Sequence, residues 1–268
     1  MESILSGRSA KLFVILAGIF VTTALVAEFI GVKIFSMEAS LGLQPVNWQF
    51  FGVGNLSFNL TAGVLLWPVV FVMTDIINEY YGTKGVKFLS WMTAGLISFA
   101  FLITFIAIQL EPAGFWPQSH INPSLSPDQQ KEVLTKVGDY NYAFRLVFGQ
   151  GLWIIVGSLV AFLVGQLVDV VSFHRIKKIT GEQHIWLRAT GSTLISQLID
   201  SFVVLFVAFY LGANWSLSQV FAIGLVNYIY KFFMAVLLTP VIYWMHAVIE
   251  RYLGPEAARL RALAMADD

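Results

Sequence analysis

The chain contains no cysteine. Disulfide staples, thiolate nucleophiles and cysteine-bound metals are therefore excluded. Charge is scarce as well. Asp, Glu, Lys and Arg make up only 12% of the 268 residues, where a soluble domain carries about 25%. Sixteen basic residues balance sixteen acidic ones, so no net field attracts nucleic acid. Apolar residues fill the space instead, at 57% of the chain, and mean hydropathy is +0.75. Apolar runs of about 20 residues recur, the length a helix needs to cross a bilayer. These features read as an all-α, polytopic membrane protein with one transmembrane domain over residues 1–268. No small-residue cleavage site follows the short stretch Met1 to Lys11, so the first apolar run reads as a retained helix and not a signal peptide.

Six spans are expected, at about 12–35, 58–78, 88–109, 143–173, 189–211 and 218–246. Lysine and arginine orient them. With the N-terminus in the cytoplasm, the inner segments hold Arg8, Lys11, Lys84, Lys87, Arg175, Lys177, Lys178, Arg188, Arg251, Arg259 and Arg261. The outer loops hold only Lys131 and Lys136, and Lys33, Arg145 and Lys231 fall in or at the ends of spans. Eleven against two places both termini in the cytoplasm. In the outer segment 36–57, Trp48, Phe50 and Phe51 read as interface anchors. In the longer outer segment 111–142, Ser126-Pro127-Asp128-Gln129 reads as a capped helix start, and Gly138 as its end.

The stretch from Trp67 to Gly82 organises the chain. Asp75, Asn78 and Glu79 fall at i, i+3 and i+4, on one helix face, and Gly82 stops the helix. Two carboxylates one turn apart are costly near hydrocarbon. Either they serve a site, or they mark a helix end at the headgroups. Pro68 and Pro240 each remove a backbone bond, which makes a kink or a broken helix that lines a cavity.

Other polar residues lie within spans. Glu28 and Lys33 are five apart, poorly placed to pair on one helix. Asn227 and Lys231 are one turn apart in the sixth span, where an ammonium needs an acidic partner. The fourth and fifth spans supply two candidates in a short repeat. Gly165-Gln166-Leu167-Val168-Asp169 returns as Ser196-Gln197-Leu198-Ile199-Asp200. Each copy sets Gln and Asp three apart beside a small residue that allows close packing. The repeat fits either a transporter's inverted halves or hydrogen-bond glue between helices. Counted from the cytoplasmic ends, Asp169 is shallow and Asp200 near mid-depth. His120, His174, His184 and His246 fall in loops or at span ends without ligand spacing, and no hydrolase or phosphate-loop motif occurs.

Four stretches together resemble the queuosine precursor transporter family of the vitamin uptake transporter group, which is related to substrate-binding components of energy-coupling-factor systems. They are T-D-I-I-N-E-Y-Y-G from Thr74, G-Q-L-V-D-V-V-S-F-H-R-I-K from Gly165, S-T-L-I-S-Q-L-I-D-S from Ser192 and Y-I-Y-K-F-F-M-A-V-L-L-T-P from Tyr228. The resemblance covers roughly residues 12–251. It implies six helices in a bacterial inner membrane and import of 7-cyano-7-deazaguanine, 7-aminomethyl-7-deazaguanine or queuine for salvage into transfer RNA. It carries over to Asp75, Gln166, Asp169, Asp200 and Lys231; family members differ around Asn78 and Glu79, and Glu28 could take the place of an Asn in the first span. Asp75, Asp169 and Asp200 are then expected as substrate or gating carboxylates, with Lys231 and Asn227 as their partners and Gln197 beside them. The expected partners are a small-molecule substrate and membrane lipid, with no cofactor and no nucleic acid. The chain would work alone or as a homodimer. An alternative is the binding subunit of an ATP-driven importer with a different ligand, and an intramembrane enzyme is a third reading that lacks a nucleophile–base pair.

Overall fold

The computed structural model of the protein describes residues 7–149, 151–180 and 185–266. The chain divides into two compact units, one built from residues 1–96 and 152–268 and the other from 97–151.

In the larger unit, helix α1 (Arg8–Ile30) leads into four short strands: β1 (Ile34–Ser36), β2 (Trp48–Phe50), β3 (Val53–Leu56) and β4 (Asn59–Thr61). A single turn, α2 (Met37–Ser40), follows β1. β1 pairs antiparallel with β4, Phe35 opposite Leu60, and β2 pairs antiparallel with β3. A 3₁₀ turn (Ala62–Leu65) enters α3 (Trp67–Ile108). At Gly82 the backbone turns to φ 68°, ψ −174°, which interrupts α3 within its length. Glycine adopts that φ without the Cβ clash other residues suffer. Every residue from Val70 to Tyr80 is buried. A helix buried on all sides is the centre of its bundle. Around it stand α1, α7 (Leu152–Thr180), α8 (Ile185–Leu205) and α9 (Leu217–Leu253). A π-helical stretch (Phe206–Leu211) extends α8, and α10 (Glu256–Ala266) closes the chain. Close approach is set by small residues. A Cβ on Gly224 of α9 would lie 2.6 Å from the Phe202 ring of α8.

The smaller unit carries the end of α3, then α4 (Trp116–Ser119), α5 (Pro127–Val137) and α6 (Tyr140–Phe148). α5 begins with the capping box read from the sequence: Gln129 N–H donates to Ser126 Oγ at 3.4 Å, and Ser126 N–H donates to Gln129 Oε1 at 3.0 Å. Gly138, at φ 69°, ends it. Trp116 packs edge-on against Tyr140 and Phe144.

Among the described residues, five helices are long and apolar enough to cross a membrane. Two of the six expected spans, 58–78 and 88–109, fall on α3 on either side of Gly82. Several expected boundaries move. The first helix stops at Ile30, and residues 34–36 and 59–61 become antiparallel strands that satisfy each other's backbone groups. Among the described residues, the small strands are the departure from an all-α reading. Pro68 lies in the first turn of α3, where its missing N–H would have had no helical partner, so it does not break the span. Pro240 does lie inside a helix, α9. The fourth span, expected at 143–173, divides between α6 and α7, and Gln150 between them lies outside the described residues. Trp48 and Phe50 are half-buried against a core cluster of Leu56, Phe58, Leu60, Ala222, Val226 and Tyr230 and so pack over α9, while Phe51 stays exposed. His184 and the side chain of Arg188 lie outside the described residues.

Candidate functional site

α3, α8 and α9 line a cavity. Trp67, Phe71, Met234 and Leu238 supply apolar wall. Six polar side chains reach it: Asp75 from α3, Thr190, Thr193 and Gln197 from α8, and Tyr230 and Lys231 from α9. On α8 these residues lie at 190, 193 and 197, which is one stripe of a helix. Thr193 donates its hydroxyl to Asp75 Oδ2 at 3.2 Å. Asp75 is 1% exposed, and its Oδ1 has no partner among the described residues. The same holds for Nε2 of Gln197. A buried acceptor and a buried donor are thus left open at one cavity, a costly arrangement unless something arrives to pair with them.

Of the residues singled out in the sequence, Asp75, Gln197 and Lys231 line this cavity. Asp200 joins through Lys231, whose ammonium it holds in an ion pair; the acidic partner that the sequence demanded for Lys231 is therefore present. Gln166 accepts the hydroxyl of Thr74 at 3.0 Å, beside Asp75. Asp169 accepts the hydroxyl of Ser196 at 3.1 Å. The other residues point elsewhere. Asn78 Oδ1 meets His174 Nε2 at 2.7 Å, and Glu79 takes the ammonium of Lys177 at 3.0 Å, both against α7. Glu28 accepts the hydroxyl of Ser158, and Asn227 is half-buried off the cavity wall.

Sequence reading missed the partners on α7. It ends the fourth span at Phe173 and leaves His174 at the span end and Lys177 in a loop, whereas α7 continues to Thr180 and buries both side chains. A signal was present. Gln166, Asp169, Phe173 and Lys177 follow at spacings of three and four, so they continue a single face. His246, likewise read as a span end, is buried with its Nδ1 3.1 Å from the Tyr80 hydroxyl. Among the described residues no cluster could hold a metal ion.

Bilayer-length helices around a cavity with apolar walls and a few polar side chains define a multi-pass membrane protein. The chain belongs to the family described as "Putative vitamin uptake transporter", whose profile matches residues 61–245. It is similar to the "Queuosine precursor transporter" of Escherichia coli K12, 23% identical over 69% of this chain and 71% of that one. It is 25% identical to the "Probable queuosine precursor transporter" of Haemophilus influenzae, over 69% of this chain and 67% of the relative. The Bacillus subtilis protein of the same description is 30% identical over 57% of this chain and 58% of its own length. No solved structure matches.

Proposed function

We propose that the protein imports queuosine precursors, the deazaguanine bases 7-cyano-7-deazaguanine, 7-aminomethyl-7-deazaguanine or queuine, across a bacterial inner membrane. The observation that carries the reading is the pairing of open groups at the cavity. A guanine-like edge presents N–H donors beside a carbonyl oxygen. Asp75 Oδ1 is a buried acceptor and Gln197 Nε2 a buried donor, on two residues that line the same cavity. A carboxylate accepts such donors strongly. Trp67, Phe71 and Tyr230 offer rings for the flat base. Lys231, held by Asp200, lines the same cavity from α9 and supplies a second donor to the base carbonyl.

In this reading the chain crosses the membrane six times with both termini in the cytoplasm. The eleven inner and two outer basic residues support that orientation, and the break at Gly82 supports a crossing on each side of it. The importer works without an ATP-driven module, alone or as a homodimer.

The test is a bacterium that neither makes queuosine nor has its own importer. Expression of this chain restores queuosine in transfer RNA when a precursor is supplied at low concentration. Asp75→Asn, present in the membrane at the wild-type level, does not. Restoration only when a separate ATPase is supplied would favour the binding-subunit alternative. No restoration under any condition, with the protein in the membrane, would reject the deazaguanine reading.

A further inference from the structure

We propose that Asp75 and Asp169 together bind one proton, and that this proton enters the cell with the substrate as its coupling ion. The second half rests on the transport reading above; the proton site itself does not.

Both carboxylates are buried, Asp75 at 1% exposure and Asp169 at 0%. Each receives one hydroxyl from α8: Thr193 donates to Asp75 Oδ2, and Ser196, one turn on, donates to Asp169 Oδ1. Ser192 lies beside both. The second oxygens, Asp75 Oδ1 and Asp169 Oδ2, have no partner among the described residues. A third open group stands at the same level. Gln166, 2% exposed and one turn from Asp169, spends its oxygen on Thr74 and leaves Nε2 unpaired.

The charged and titratable groups around the pair are engaged elsewhere. Lys177 is held by Glu79, and Lys231 by Asp200. His174 bonds to Asn78, His246 to Tyr80, and Glu28 to Ser158. No lysine or arginine pairs with Asp75 or Asp169 among the described residues. Two buried carboxylates that take their hydroxyls from adjacent turns of α8, with no cation between them, do not both carry charge. One proton removes half the charge and supplies the O–H donor that the open oxygens lack. The pair then titrates as a unit.

Asp75 lines the cavity and Asp169 does not, which gives the proton a route. It arrives from outside water on Asp75. When the N–H donors of a substrate bind the Asp75 carboxylate, the proton moves to Asp169, and it leaves to cytoplasmic water after the substrate. No bond in the substrate changes. The two carboxylates thus link substrate binding to proton binding reciprocally.

The purified full-length protein, labelled at aspartate, is titrated by infrared difference spectroscopy, which reads protonated carboxyl groups without any substrate. The expected result is a carboxylic-acid band at neutral pH that is lost in both Asp75→Asn and Asp169→Asn and kept in Asp200→Asn. Absence of the band in the wild type overturns the proton site. In proteoliposomes, an inward pH gradient drives at least tenfold accumulation of labelled 7-cyano-7-deazaguanine, and a sodium gradient drives none. Accumulation that follows sodium, or neither gradient, overturns the coupling. Substrate exchange at equal concentrations needs no driving ion, so its failure would count against the deazaguanine reading instead, and the infrared titration alone would then decide the proton site.

Discussion

Asp169 accepts the hydroxyl of Ser196 across the interface of α7 and α8, at 3.1 Å. These are the last residue of the first five-residue repeat and the first residue of the second. The converse contact is also made, since a Cβ on Gly165, which opens the first repeat, would lie 3.6 Å from the Cβ of Asp200, which closes the second. Antiparallel helices have therefore matched the small position of each motif to the carboxylate of the other.

That matching predicts a size limit at Gly165. A methyl group there makes ordinary contact with Asp200, so Gly165→Ala is tolerated. Gly165→Leu forces α7 and α8 apart and costs about 1–3 kcal/mol, as overpacking does. Thermal unfolding in detergent compares the two, and equal stability of both variants would contradict the packing.

The Glu79–Lys177 pair has side chains only 1% and 0% exposed. Breaking such a pair leaves a buried charge uncompensated, at about 3–5 kcal/mol. Glu79→Gln and Lys177→Met are each expected to lower stability by that order. The double variant recovers most of the loss, because no charge is left stranded. Additive losses would show that the two groups act independently.

Gly82 combines φ 68° with a neighbour: a Cβ there would stand 3.1 Å from the Ala264 carbonyl oxygen of α10. Gly82→Ala is expected to destabilise by about 1–2 kcal/mol from the backbone alone. It also loosens α10, which limited proteolysis reads as earlier cleavage near the C-terminus. A wild-type cleavage pattern would argue that α10 does not depend on the glycine.

Glu38 lies outside the membrane helices. Burial opposes its charge, but the backbone N–H of Phe58 donates to Oε1 at 2.9 Å and Ser36 donates to Oε2, so the carboxyl is held below its ordinary value of 4.5. A depressed folded value means stability that is present above the ordinary value and lost as pH falls through the folded one. Wild-type protein should lose stability on acidification below about pH 4.5, and Glu38→Gln should flatten that part of the profile. Unchanged curvature in the variant would remove Glu38 from the account.

Much of this architecture is legible in the sequence, where local chemistry decides it. The capping box at Ser126, the stop at Gly82 and the need of Lys231 for an acid each follow from a few adjacent residues. What stayed hidden depends on distant partners. The strands at 34–36 and 59–61 exist only because they pair with each other, and their apolar content alone reads as more helix. Lys177 looks like a cytoplasmic charge until Glu79 is placed opposite it. Asp75, Asn78 and Glu79 share a face in sequence, yet only Asp75 reaches the cavity, because α8 meets the helix at its level and α7 meets the other two.

The central claim is that Asp75 binds a deazaguanine at the cavity. Direct binding of labelled 7-cyano-7-deazaguanine to purified protein tests it, with wild type compared with Asp75→Asn. Losing one partner of a buried, charge-assisted contact costs about 2–5 kcal/mol, so a drop in affinity of at least about 30-fold is predicted, with the fold preserved by near-UV dichroism. Wild-type affinity in a folded Asp75→Asn protein would contradict the account.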